Sequence, residues 1–228
     1  MEHVLDNPAW SALISGNKHL ALGNDFVKYF DSEVSPFAGF KENTPENFQR
    51  LYELMPYNRP VLFVATTEIE IPNPWKVINT IKGFQMVCET ATTEKVNTQI
   101  KVQPLVKEHI PQMLALTQLT NPGPFASRTI EFGHYLGVFE GDKLVAMAGQ
   151  RLHTSPYAEI SAVCTHPDHL GKGYARELLI YQINRIKAAA EVPFLHVRYD
   201  NERAVNVYKS LGFSIRTEVF FSVMQKEK

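Results

Sequence analysis

Residues 158–179 read AEISAVCTHPDHLGKGYARELL, and the rest of the chain is organised around them. Ala158 to Thr165 is short, apolar and partly β-branched, and His166-Pro167-Asp168 closes it with a turn signal, so it reads as a buried strand. From about Gly171 the spacing changes. Tyr174, Leu178, Tyr181 and Arg185 fall on one helical face, with Ala175, Leu179, Gln182 and Ile186 on the adjoining one. A strand that runs through a glycine-containing turn directly into a helix leaves several backbone N–H groups without partners. It also aims the positive end of the helix dipole at whatever lies above the turn. The stretch predicts an anion site.

The core of the turn, Gly171-Lys172-Gly173-Tyr174-Ala175, fails two phosphate-loop patterns. A P-loop needs Ser or Thr after Gly-Lys, where Gly173 stands, and a dinucleotide fingerprint needs Gly or Ala where Arg176 stands. Leu170-Gly171-Lys172-Gly173-Tyr174-Ala175 instead resembles the glycine junction of the GCN5-related N-acetyltransferases. In that family the pattern is Gln or Arg, two residues, Gly, one residue, then Gly or Ala, and the chain departs from it only at Leu170. Downstream, Pro193 to Asp200 (PFLHVRYD) reads as a second strand and Asn201 to Phe213 (NERAVNVYKSLGF) as a short helix stopped by Gly212. Asn-x-x-Ala-x-x-x-Tyr-x-x-x-Gly-Phe at this distance is similar to the second signature of the same family. The resemblance is closest to its FR47-like branch and covers Gln99 to the C-terminus.

What the resemblance implies is specific. The fold would be α/β, or α+β: a mixed, mostly antiparallel central sheet flanked by helices. The cosubstrate would be acetyl-CoA, with its pyrophosphate over the N–H groups of Leu170, Gly171, Lys172, Gly173, Tyr174 and Ala175 and with no metal. The exposed main chain of Val163, Cys164 and Thr165 would pair with the pantetheine arm and polarise the thioester carbonyl, and Asn201 would hydrogen-bond the same arm. Tyr208 matches the tyrosine that protonates the departing thiolate, and Glu159 the glutamate that deprotonates the incoming ammonium. The partners implied are a coenzyme A thioester and an amine acceptor.

Away from these motifs the reading is coarser. With 228 residues the chain is longer than one minimal acetyltransferase domain. At 44% hydrophobic and 21% charged it can bury an ordinary core. A net charge of −1 without a basic run gives no reason to expect nucleic acid or an anionic membrane. Cys88 and Cys164 sit in apolar surroundings without paired spacing, which predicts buried thiols in a reducing compartment. With neither a signal-like N-terminus nor a membrane-length apolar stretch, the chain reads as cytoplasmic. Self-association is left open.

Residues 1–95 are expected to form an α/β half, either resembling a degenerate acetyltransferase domain or an unrelated cap, and 99–228 the acetyltransferase domain itself, with the polar segment 89–98 as linker. Asn7 or Asp6 is expected to cap a helix beginning at Pro8, and Thr44 one running through Leu54. Phe26–Phe30 and Pro60–Ile71 read as strands, and Trp75–Cys88 leans towards strand. Ile100–Val106 reads as a strand, Lys107–Leu119 as an amphipathic helix, Tyr135–Phe139 and Lys143–His153 as a hairpin, and Ser214–Gln225 as the last strand. His153, Phe125 and Arg128 lie where an acceptor could be met, His166 and His169 flank a turn, and no motif supplies a base for Cys164. The expected activity is acetyl transfer from acetyl-CoA to a primary amine by direct attack in a ternary complex. A silent acyl-CoA-binding sensor is the alternative.

Overall fold

The apolar, β-branched stretches become strands, and their pairing positions everything else. A computed structural model describes residues 3–89 and 95–227. Along the chain, α1 (Pro8–Ile14) precedes a three-stranded antiparallel sheet of β1 (Ala21–Gly23), β2 (Val27–Phe30) and β3 (Ala38–Phe40). Then follow α2 (Pro45–Leu54), β4 (Pro60–Ala65) and β5 (Lys76–Val87). Beyond the connector come β6 (Val102–Pro104), α3 (Ile110–Thr120), β7 (Leu136–Glu140), β8 (Lys143–Thr154) and β9 (Tyr157–Thr165). The chain finishes with α4 (Tyr174–Ala188), β10 (Val192–Arg198), α5 (Glu202–Ser210) and β11 (Ser214–Gln225). Among the described residues no helix is long and apolar enough to cross a membrane.

Eight strands form one sheet in the order β4-β11-β5-β10-β9-β8-β7-β6. Every neighbouring pair is antiparallel except β9 and β10. The mixed, mostly antiparallel sheet flanked by helices is the fold that the resemblance implied. Its order interleaves the halves: β11, from the end of the chain, pairs with β4 on one side and β5 on the other, and β5 in turn pairs with β10. Strands from both sides of segment 89–98 therefore share a single sheet; of that segment, residues 90–94 lie outside the described residues.

Both sheet faces are buried. On one, Leu13 of α1 and Met113 and Leu116 of α3 pack with Phe30 and Phe37 against Met147, Cys164, Phe194 and Val219. On the other, Leu179, Ile180, Ile183 and Ile186, spaced along one side of α4, join Val205 of α5 over Met86, Ile160 and Leu195. The local signals fared unevenly. Thr44 caps α2 as expected, accepting from the Asn47 N–H at 3.3 Å. Pro8 opens α1, but neither predicted residue caps it: Asn7 donates to the Phe40 carbonyl at 2.8 Å, and Asp6 pairs with Arg216 at 2.5 Å. Tertiary partners outcompeted the local bond. The strand expected over Pro60–Ile71 stops at Ala65, and the one expected over Ile100–Val106 shrinks to β6.

Candidate active site

Among the described residues, the only parallel pair in the large sheet is also its shortest contact between long strands. β9 and β10 pair through Tyr157↔Val192, Ala158↔Pro193 and Phe194↔Glu159, and then separate, β9 staying with β8 and β10 with β5. The two strands open into a V with Glu159 at its apex. Two irregularities shape it. Opposite Ala148, β9 carries two residues, Ala162 and Val163, and Ala162 has φ 54, a left-handed conformation unusual for a residue with a Cβ. Opposite Glu159, β8 carries two residues, Arg151 and Leu152. The first bulge re-aims the main chain of Val163–Thr165, and the second sets Arg151 against Glu159.

At the open end, β9 turns into α4. Gly171 and Gly173 have φ +79 and +81, and a Cβ on either would meet nothing within 4 Å. Both glycines are needed for the backbone, and the space over them is empty. The backbone N–H groups of Gly171 to Ala175 have no hydrogen-bond acceptor among the described residues, the first capping contact being Glu177 N–H to the Gly173 carbonyl at 3.0 Å. Five donors at the positive end of a 15-residue helix make a cradle suited to a pyrophosphate.

A cavity of about 870 Å³ runs from this cradle through the V. Its walls include Val163, Cys164, Thr165, Leu170, Gly171, Gly173, Tyr174, Ala175, Asn201 and Tyr208, so nearly all the residues the sequence assigned to the cosubstrate meet in one space. Lys172 is not among the walls. It reaches back to Glu140 at 3.2 Å, beside Tyr174, whose hydroxyl donates to the same carboxylate. Asn201 caps α5 through its side-chain oxygen, accepting from the Ala204 N–H at 3.2 Å. Tyr208 is half-buried and stacks edge-on against Phe213; burial pushes its pKa up to about 12. Burial likewise pushes the Cys164 thiol up to about 11, which leaves it protonated and unsuited to nucleophilic attack.

Glu159 is fully buried, and polar groups hold its carboxylate. Arg151 donates to both carboxylate oxygens, Nε to Oε2 at 2.9 Å and Nη2 to Oε1 at 2.6 Å, and His196 Nδ1 lies 2.7 Å from Oε1. Burial alone would raise the carboxyl pKa, but Arg151 and His196 outweigh it and hold it at about 2. The chain continues through Gln85, 3.1 Å from His196 Nε2, whose Oε1 accepts from Arg216 at 2.8 Å. Arg151 and His196 both line the cavity, and the sequence reading assigned neither. The available signal was a charged or polar residue inside a strand otherwise apolar, as in VAMAGQRLH and PFLHVRYD.

Two effects follow for Glu159→Gln. Arg151 would be left buried without its counter-charge, at a cost of roughly 3–5 kcal/mol in urea unfolding. The pH dependence would change as well. Because the folded pKa lies below the ordinary 4.5, the ionised carboxylate adds stability above about pH 4.5 and loses it as pH falls towards about 2. The unfolding midpoint of the native protein should decline across that window, and the glutamine variant should lack this component; an identical acid profile would contradict the ion-pair account.

Other residues named from the sequence lie elsewhere. His153 stacks on His134 with ring centroids 6.0 Å apart, Phe125 packs on Tyr135, and Arg128 pairs with Glu131. None of the three lines the cavity, whereas Thr120 to Pro124 of the same loop do. His166 and His169 hold the turn before α4, and His169 reaches the cavity wall.

Known proteins share this fold. Residues 135–222 match the family described as FR47-like protein. A crystal structure of a putative GNAT-family acetyltransferase from Novosphingobium aromaticivorans is 30% identical, with a TM-score of 0.92 over 100% of both chains. A GCN5-related N-acetyltransferase from Kribbella flavida, 11% identical over 97% of this chain and 96% of its own, shares the fold with a TM-score of 0.60. The N-alpha-acetyltransferase RimI of Mycobacterium tuberculosis is 36% identical over 83 residues, 35% of this chain and 51% of that protein. An uncharacterised protein of Mycobacterium leprae is also 36% identical, over 41% of this chain and 27% of its own length, so the chain spans only part of these two curated relatives. With a similarity that runs the full length of a GNAT-family protein, and with the splayed strands and glycine cradle in place, the chain belongs to the GNAT family of acetyltransferases.

Proposed function

We propose that the protein is an N-acetyltransferase that moves an acetyl group from acetyl-CoA to a primary amine by direct attack in a ternary complex. One observation carries the reading: a single cavity joins the unpaired N–H groups at the start of α4, the Tyr208 phenol on α5 and a chamber on the opposite face of the sheet. The cradle would hold the pyrophosphate, and Asn201 and the re-aimed main chain of Val163–Thr165 the pantetheine arm, with an N–H of that segment facing the developing oxyanion. Acetyl-CoA would supply an activated acyl carbon. The amine nitrogen bonds to that carbon, the C–S bond breaks, the sulfur takes the Tyr208 proton, and the surplus proton of the nitrogen leaves to water, from which the phenol is restored.

Glu159 has a different part in this proposal from the base that its position implied. A carboxylate held at about 2, with both oxygens taken, accepts no proton near neutral pH. It fixes Arg151 and His196 at the apex of the V. The domain reading also takes a functional form: residues 1–95 wall the acceptor side through Phe37, Leu62 and Ile81, and residues 99–228 carry the coenzyme machinery. Cys88 and Cys164 are both buried and neither is in a disulfide, which fits a reducing cytoplasm.

The test is calorimetric titration with acetyl-CoA, followed by thiol release with a mixed library of amines. Saturable binding and release that needs an added amine is the expected result. Binding without release would turn the reading into that of a silent acyl-CoA sensor.

A further inference from the structure

The half of the cavity beyond the V has a composition that selects its ligand. Leu62 of β4 lies opposite Val223 of β11, and Ile81 of β5 opposite Phe221, so four apolar side chains share one patch of sheet, with Phe37 beside them. Among the described residues no Asp or Glu lines the cavity. A polycationic acceptor such as a polyamine or aminoglycoside would have to bury its extra ammonium groups here without counter-charges, which is costly. An acceptor with an apolar body meets no such cost.

Two polar side chains, Arg151 and His196, adjoin this patch, and His196, its ring 5.3 Å from Phe221, has Nδ1 on Glu159 and Nε2 on Gln85. Arg151 is nine-tenths buried, its guanidinium 4.6 Å above the Phe37 ring, with Nε and Nη2 committed to Glu159. Its third nitrogen, Nη1, donates to nothing among the described residues, although Arg151 lines the cavity. A planar fork with one uncommitted end in an apolar chamber calls for an acceptor oxygen. Glu159 balances the Arg151 charge, but the cavity wall also carries Arg176, Arg198 and Arg203 and no Asp or Glu, so a carboxylate meets favourable charge while the fork fixes its position.

We propose that the acceptor is an α-amino acid with a large apolar side chain, its carboxylate on Arg151 Nη1 and its side chain against Phe37, Leu62, Ile81, Phe221 and Val223. The assignment rests on the transferase reading for its reaction, but its binding can be measured separately. The carboxylate and the α-amine are joined through one carbon, so anchoring one oxygen restricts where the nucleophile can point.

The experiment titrates the coenzyme A complex of the native protein with L-phenylalanine, β-phenethylamine, which lacks only the carboxylate, and spermidine, and runs thiol release with the same three. Phenylalanine is expected to bind about 10- to 100-fold more tightly than phenethylamine. Arg151→Lys, which keeps the charge facing Glu159 but not the fork, should remove that advantage, so that phenylalanine and phenethylamine bind the variant about equally. Equal binding of phenylalanine and phenethylamine, or tighter binding of spermidine, would overturn the assignment. Phenylalanine binding without thiol release would count against the transferase reading and sustain this one; release with another amine and no phenylalanine binding would do the reverse. Near-UV circular dichroism checks that Arg151→Lys is folded, and if it is not, the ligand series on the native protein decides.

Discussion

Gly173→Asp should weaken coenzyme A binding by at least about 100-fold while the protein remains folded. Gly173 has φ +81, where a side chain costs about 1–2 kcal/mol, and an acidic residue at the first turn of α4 returns some of that through the helix dipole. With nothing within 4 Å of the added Cβ, no neighbouring atom has to move. Folding should therefore survive. Binding should not, because a carboxylate would sit among the five unpaired N–H groups and meet the pyrophosphate with like charge. Calorimetry against acetyl-CoA, with urea unfolding as the control, reads both. A folded variant with native affinity would remove the pyrophosphate from this turn.

Tyr208→Phe should lower kcat by about 100- to 10,000-fold with little change in coenzyme A affinity. At first sight a phenol at about 12 is a poor partner for a thiolate, whose ordinary pKa is near 8.5. The cavity alters both. Cys164, a thiol in the wall of the same space, is pushed to about 11 by burial, and a departing thiolate desolvated there would be raised in the same sense. Desolvation raises both groups in the same direction, which narrows the gap that the proton must cross as the C–S bond breaks. Steady-state kinetics beside a binding titration separates the outcomes. Unchanged turnover would leave Tyr208 with only its packing against Phe213.

What the sequence showed and what it hid divides along the range of the interactions. The glycine turn, the Thr44 cap and the final strand Ser214–Gln225 were legible because each depends on neighbours a few residues apart. The ends of β4 and β6 were not, since a strand lasts only while the chain stays beside its partner: β11 runs on to Ser214 along β5 after β4 has left it at Ala65. The site followed the same rule. Leu170 to Ala175, Asn201 and Tyr208 belong to contiguous signatures and meet in the cavity, apart from Lys172. Arg151 and His196 belong to none. They are brought to Glu159 by a bulge in β8 and by the parallel pairing of β10, neither of which has a local cue. The low pKa of Glu159 was hidden with them, because burial by itself predicts a shift in the opposite direction.

The interleaved sheet also bears on how the protein folds. β4 and β5 precede β11, the strand that lies between them, by most of the sequence, so pairs such as Leu62 with Val223 close a loop from residue 62 to residue 223. Such contacts of high sequence separation are slow to form, and the entropy of closing them must be met before they contribute stability. Until then the apolar edges of both early strands remain open to pairing with other chains. Refolding should therefore be slow and prone to association until β11 is in place, and the cavity walls from Leu62, Ile81, Phe221 and Val223 would form in that same step.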